Sequence, residues 1–551
     1  MASGVQLGSS DKVISVEKSE VTTFARKASG LARQWSPLDL FIRLVGSGNP
    51  FGPWMLFGML IAPYVFPYSN ATVAIVMSAM CWAVVAVVYG MFVSSMPRSG
   101  GDYIWMSRTL HPAGAYGLCW FQIIIFGAWT YFNTTAAASI GVLPLASFFG
   151  LKGVVAWITS FQGVFLWASF WIIAAYLVVV AGMKVVAWYQ RIVFPLLLIA
   201  LAVYVITAFW FGHDAFVATF NSQFNSAFNT SNAYQFVIDQ APTPKTWHLD
   251  LWQCFLVVPV LPVGIAVAYG GPQIIGEVKG IGRLRTALWT FVGTSFAQAI
   301  EAGLATAAFF YLAGPVFISA IGYQFAEGTA LGAQMSQSMF VTYINMLMVK
   351  QPILVLLIGL GPIFANMMYY PYPYLMISRY LFGMSFDRLL PTKIVEVERR
   401  TRSPIYAVTF VLILNLLWAF IISYYSEYTV WYLGSASIGY QFLPLGVVIA
   451  GLFFAYRART KSIWEVSPAS KYKLGGVPWI TICSAISVVF LVYSIWGTWT
   501  FPFYGGSDPR SLLSYLAVFI IAVIAFYYAA WYRKTKQGIP ISLAFTQVPP
   551  E

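Results

Sequence analysis

Two short stretches concentrate the chemistry of this 551-residue chain. Gly46-Ser47-Gly48-Asn49-Pro50 interrupts an apolar run from Leu38 to Phe66, and Tyr269-Gly270-Gly271-Pro272 interrupts a second run over about 250–276. Glycine is a poor helix former, and proline removes a backbone donor and clashes with the preceding turn. Each run therefore reads as two half-helices joined by unwound backbone. At membrane depth, unpaired peptide groups are tolerated only where protein buries them or where they line a wet cavity. A span broken near its middle is thus a candidate binding site, and the free N–H groups and positive dipole end of a half-helix suit a carboxylate. The alternative is a pair of unrelated kinks, because Gly and Pro are common in membrane helices.

Ionisable residues stand near these breaks. Glu301 is the one acid deep inside an apolar run, roughly 22 Å of helical rise beyond Thr286. A carboxylate there must hold a proton or find a cation. Glu301 is accordingly an ion-coupling candidate, carrying a proton or touching a substrate amine; the alternative is a neutral side chain hydrogen-bonded between helices. Arg43 lies one turn before the first break. It snorkels to the inner surface, or it gates the inner vestibule or pairs with an acid such as Glu277. Glu277 itself reads as solvated or loop-pairing.

Other chemistries find no support. Cys81, Cys119, Cys254 and Cys483 show no CxxC spacing, and His111, His213 and His248 are scattered. No HExxH and no GxxxxGK[ST] phosphate loop occurs. Catalytic residues, metal and cofactor are therefore not expected, and neither is nucleic acid. The partners implied are a small-molecule substrate and membrane lipid.

The elements that must position the two breaks are membrane helices. The chain is 59% hydrophobic, 18% aromatic and only 9% charged, with a mean hydropathy of +0.74, whereas a soluble protein carries about a quarter charged residues. Apolar runs of roughly 20 residues recur along it. The pattern predicts spans at 38–66, 71–95, 113–146, 156–182, 187–211, 250–276, 286–312, 352–383, 404–424, 429–456, 476–500 and 512–532, twelve in all. Residues 1–36 and 534–551 read as polar tails, 212–249 as an exposed extracellular loop, and 314–350 as short surface helices. Of the 31 Lys and Arg, only Lys152, Lys245, Lys350 and Arg510 fall on one side, so the positive-inside rule puts both termini in the cytoplasm.

The breaks occur in the first and sixth spans, each opening a set of five. Five is odd, so the second set (250–456) runs opposite to the first (37–211), with two spans added over 457–533. Interrupted segments at matching places of inverted halves point to a secondary-transporter site. Three further segments bear on this: Met96-Pro-Arg-Ser-Gly-Gly-Asp-Tyr-Ile-Trp-Met-Ser-Arg108, Gly276-Glu-Val-Lys-Gly-Ile-Gly-Arg-Leu-Arg285, and Ser378-Arg-Tyr-Leu-Phe-Gly-Met-Ser-Phe-Asp-Arg-Leu-Leu-Pro391 followed by Arg400-Thr-Arg-Ser-Pro404. In order and spacing they resemble the loops after spans two, six and eight of amino acid–polyamine–organocation permeases. The resemblance implies an all-α polytopic fold, a LeuT-type five-plus-five inverted repeat with two extra C-terminal spans. It also implies transport of an amino acid, polyamine or related organic ion.

Carried over by position, Gly46, Ser47 and Gly48 would meet a substrate carboxylate. Carbonyls around Val45 and Ala268 to Gly270 would meet an ammonium, with Gly271 beside them and Tyr269 closing the pocket. Two departures concern the coupling ion. Proton-coupled members often carry a lysine in span five, where this chain has Leu197. Sodium-coupled members need small hydroxyl residues in span eight, where Asn366-Met-Met-Tyr-Tyr-Pro-Tyr-Pro-Tyr374 has none. H⁺ at Glu301 and uncoupled exchange both stay open. The reading is an amino acid permease of the cytoplasmic membrane, not an enzyme. The other readings are a non-transporting sensor of amino acids and a polytopic membrane enzyme.

Overall fold

The computed structural model describes residues 30–51, 56–261, 265–336, 340–425, 427–501 and 507–546. Most of the expected N-terminal tail (1–29), Pro53, Pro262 and the last five residues lie outside the described residues. Helix α1, Pro37–Gly46, begins on a capping box. The Ser36 hydroxyl accepts from the Asp39 N–H, and the Asp39 carboxylate accepts from the Ser36 N–H, so two orphan donors are satisfied at once. The helix stops at Gly46, and Asn49 then takes a left-handed φ of 44°. Helical structure resumes as a π-helical turn, Leu56–Ile61, and a short α-turn, Ala62–Val65. The first apolar run is therefore interrupted where its glycines and proline fall.

Helix α2, Ala71–Ser95, is capped by Asn70, whose side chain accepts from the Thr72 and Val73 N–H groups. There follow α3 (Gly101–Thr109), α4 (Pro112–Phe148), α5 (Phe161–Val180) and α6 (Met183–Phe224). The second broken run comprises α7 (Leu251–Val257) and 3-10 turns at Val258–Val260, Ile265–Ala268 and Pro272–Glu277. Beyond it lie α8 (Leu284–Ala313), α9 (Pro352–Phe386), α10 (Ile405–Tyr424), α11 (Glu427–Phe453), α12 (Trp479–Thr500) and α13 (Pro509–Gln537). The strands among the described residues form one hairpin, Lys473–Leu474 with Val477–Pro478, turned by Gly475 and Gly476 at positive φ.

Among the described residues, nine helices are long and apolar enough to cross a membrane, or ten if the bent pair Gly439–Phe453 and Ala458–Val466 is one span. The two interrupted runs fall outside that set because neither is one continuous helix. Phe170, Ile206, Trp210, Ile413, Val489 and Ile524 point outward and are exposed. A helix apolar on its outer face as well as its inner one belongs in hydrocarbon. The chain is an all-α, polytopic membrane protein.

Two expectations are corrected. The stretch 212–249, read as an exposed loop, is partly folded. Helix α6 continues through a kink at Gly212 to Phe224, and its Phe216 and Phe220 are buried against Phe317 of the helix Pro315–Ala326. The segment 314–350 does form short helices, but Phe317, Ile318, Ile321, Ile344 and Met346 are buried rather than lying at the surface.

The two broken runs are tied together where one begins and the other ends. Trp35 makes an isolated parallel bridge to Val278. The Glu277 carbonyl accepts from the Gln34 and Trp35 N–H groups, at 2.9 and 3.1 Å, and Lys279 N–H returns a bond to the Trp35 carbonyl. Helix α1 rests on α6 and α8, and α8 packs along α2.

Candidate functional site

The two glycine clusters meet. Gly271 lies against Leu44, so that a Cβ there would stand 2.7 Å from Leu44 Cδ2, and Gly270 lies under Tyr372, whose ring would be 2.2 Å from a Cβ. Gly270 also holds a φ of +77°, a region that L side chains enter only with strain. Gly46 admits Met368 of α9 in the same way, at 2.4 Å. Val45, Gly46, Ser47 and Ala268 through Gly271 are all buried, and Gly48 is half-buried.

The peptide groups of the first break are mostly spoken for. Ser47 N–H donates to the Arg43 carbonyl and Gly48 N–H to that of Val45. The Leu44 carbonyl accepts from both the Ser47 hydroxyl, at 2.7 Å, and Gln298 Nε2 of α8, at 2.7 Å. Asn49 Nδ2 reaches Asn133 Oδ1 on α4 and Asn366 Oδ1 on α9, at 3.1 and 2.9 Å. The free donors expected at Ser47 and Gly48 are thus closed into the end of α1.

At the second break one side chain does most of the holding. Gln273 Oε1 accepts from the Gly270 N–H at 2.6 Å, and its Nε2 lies 3.2 Å from the Ala268 carbonyl and 2.8 Å from the Tyr380 hydroxyl. The same Nε2 donates to Asp102, which also accepts from Tyr380 at 2.6 Å. Above this, Tyr269 donates to the Tyr440 carbonyl. It sits in an aromatic cluster with Phe126 (5.1 Å between ring centres) and Tyr440 (6.0 Å), and Phe126 in turn contacts Tyr372. Trp129 and Tyr369 extend the wall.

Arg43 neither snorkels nor pairs with Glu277. It is wholly buried, donates from Nη1 to the Met368 carbonyl, and sits 5.4 Å from the centre of the Tyr372 ring. Glu277, expected in solvent or a loop, is buried in a two-pronged pair with Arg379, at 2.8 and 3.0 Å. Arg108 makes the same kind of pair with Asp387, at 2.6 and 2.8 Å. The stretch Met96–Trp105 reads by sequence as a tight polar loop; in the fold it is largely buried, and its second half belongs to helix α3.

The three motifs behind the family resemblance are therefore bolted to one another. Sequence reasoning missed Asp102, Gln273, Gln298 and the Asn49–Asn133–Asn366 cluster. The legible signal was polar side chains within or one turn from apolar runs, where solvation is unavailable.

Asp102 lies on α3, between the spans. Burial pushes its carboxyl up to about 7, against the pull of hydrogen bonds from Tyr380 and Gln273. Glu301 is 4% exposed, and neither of its carboxylate oxygens has a hydrogen-bond partner among the described residues. The hydrogen-bonded alternative expected for it does not hold. It lines a half-open groove of about 430 Å³ between α1, α6 and α8, shared with Val45, Phe41, Phe194 and Leu201 and edged by the outward-facing Ile206 and Ile300.

A helical membrane protein whose two interrupted helices meet under an aromatic wall has the build of a permease. The family model described as amino acid permease matches residues 42–530, and the chain belongs to that family. No curated protein gives a significant match. Membership agrees with the resemblance of the three motifs and makes the chain a membrane transporter.

Proposed function

We propose that the chain is a secondary transporter of a small neutral or aromatic amino acid, working by alternating access in the cytoplasmic membrane with both termini inside. The meeting of the two unwound segments carries this reading: irregular backbone from opposed halves, buried together, is what a midplane substrate site requires. In this reading Val45, Gly46, Ser47 and Gly48 form one side of the site and Ala268, Tyr269, Gly270 and Gly271 the other. Carbonyls at Ala268 to Gly270 take the ammonium, and the aromatic wall takes the apolar side chain. The bridge from Trp35 to Val278 supports motion of the two broken helices as one body.

Purified protein in proteoliposomes tests this. Saturable uptake of a neutral amino acid is expected, and it is lost in Gly271→Leu, whose side chain would strike Leu44. Absence of saturable flux for every amino acid tried would sink the reading.

Proton coupling is assigned to Glu301, supported by a buried carboxylate without a hydrogen-bond partner among the described residues, in a groove that Val45 also lines. Glu301→Gln should abolish accumulation driven by a pH gradient and leave exchange of internal for external substrate within about twofold, since a neutral amide keeps the shape and removes the titration. Gradient-driven accumulation that survives the substitution would remove Glu301 from the coupling.

A further inference from the structure

We propose that Arg43 is the receptor for the carboxylate of the transported molecule, which makes the substrate a carboxylate-bearing amino acid and not a decarboxylated amine. The inference rests on the transport reading above and narrows it.

A guanidinium has two faces for hydrogen bonding. Along one edge, Nε and Nη2 present parallel N–H groups whose spacing matches the two oxygens of a carboxylate. The protein uses that edge elsewhere, and on the surface Arg510 holds Asp508 with it. Arg379 holds Glu277 through Nε and Nη2. Arg191 holds Asp39 through Nε and Nη2, at 2.8 and 2.9 Å. In Arg43 the arrangement is the same with the acid missing. Nη1 is anchored to the Met368 carbonyl, while Nε and Nη2 are buried without a hydrogen-bond partner among the described residues. No acid among the described residues forms an ion pair with it. Arginine does not shed its proton in a protein, so the site carries a buried, uncompensated positive charge. The other fully buried arginines, Arg108 and Arg379, are both neutralised by acids.

The position fits a substrate role. Arg43 is on the last turn of α1, three residues before Gly46, and lies over Tyr372, the same ring that closes on Gly270 of the second break. Because the N–H groups of Ser47 and Gly48 are already bonded to α1 carbonyls, the unbonded side-chain donors beside the first break belong to Arg43. An arriving carboxylate supplies two charge-assisted bonds and the missing counter-charge together. An amine of the same body supplies neither and is repelled.

The test compares phenylalanine with phenethylamine, which differ by the carboxylate alone, in proteoliposome uptake by the wild type, Arg43→Gln and Arg43→Lys. The wild type should favour the acid. Arg43→Gln should raise KM for the acid on the order of a hundredfold, with little change for the amine, collapsing the preference. Arg43→Lys keeps the charge without the fork and should fall between. An Arg43→Gln or Arg43→Lys protein that keeps the wild-type acid-to-amine ratio overturns the proposal, as does a wild type that takes both equally. If the glutamine variant does not fold, the lysine variant decides on the same ratio. A wild type with no flux of any amino acid fails the transport reading instead, which separates the two.

Discussion

Charged groups are equally buried in two regions of this protein and are treated in opposite ways. In the belt made by the three motif segments, every buried arginine meets an acid. Arg108 meets Asp387 across 279 residues of sequence, and Arg379 meets Glu277 across 102. Beside the helix breaks, Arg43 and Glu301 have no counter-charge among the described residues, and Asp102, carried on a belt segment but bonded to the second break through Gln273, accepts hydrogen bonds from neutral groups only. A matched pair excludes other ligands and fixes the segments that bear it. An unmatched group keeps an interaction in reserve for a proton or a substrate. The belt therefore reads as frame, and the break region as the place where something binds.

The largest expected effect lies in the belt. Glu277→Ala leaves Arg379 buried with no acid, which should cost about 3–5 kcal/mol and leave little folded protein. Replacing both, Glu277→Ala with Arg379→Met, should recover most of the stability, because an apolar pair carries no desolvation cost. Thermal melting in detergent reads both. A single variant that melts like the wild type would mean that the belt does not hold the frame, and the contrast would dissolve.

Next comes the second break. Gly270→Ala forces an L side chain to a positive φ, about 1–2 kcal/mol, and pushes its methyl into the Tyr372 ring, about 1–3 kcal/mol more. The protein should still fold, with a lower melting temperature, while uptake falls below detection because the two breaks no longer close on each other. Full uptake in this variant would show that the close approach at Gly270 is incidental to function.

How much of this was legible follows from what each signal depends on. Membrane class and family were, because they rest on local composition and on motifs whose residues are contiguous. The breaks were legible at Gly46–Pro50 and Gly270–Pro272 for the same reason. The extent of the second was not: it has separate 3-10 turns at Val258–Val260, Ile265–Ala268 and Pro272–Glu277, held partly by Gln273, whose partners Asp102 and Tyr380 are 171 and 107 residues away. Arg43 and Glu277 were misplaced because a charge near a span end normally finds water, and only tertiary packing takes that water away. In contrast, the continuation of α6 was readable. Phe216, Phe220 and Phe224 recur every fourth residue, the spacing of a helical apolar stripe, amid polar residues that otherwise suggested a loop.

The effect that sharpens the contrast most concerns Asp102. Its carboxyl titrates near 7 in the folded protein against a normal 3.8, so between those values the folded state holds a proton that the unfolded chain has lost. Stability contributed by this group is therefore present at low pH and is lost as pH rises through about 7, after which both states are ionised and the penalty is constant. Asp102→Asn is an amide at every pH and lacks this slope. The melting temperature of the wild type relative to Asp102→Asn should accordingly fall between about pH 4 and about pH 7 and level off above that. The group that sets this slope is also joined through Gln273 to Gly270, so ionisation of Asp102 loads the second break directly. A difference in melting temperature that is flat across that range would mean that Asp102 is ionised throughout, as a member of the belt, and would move the boundary between the two regions to its far side.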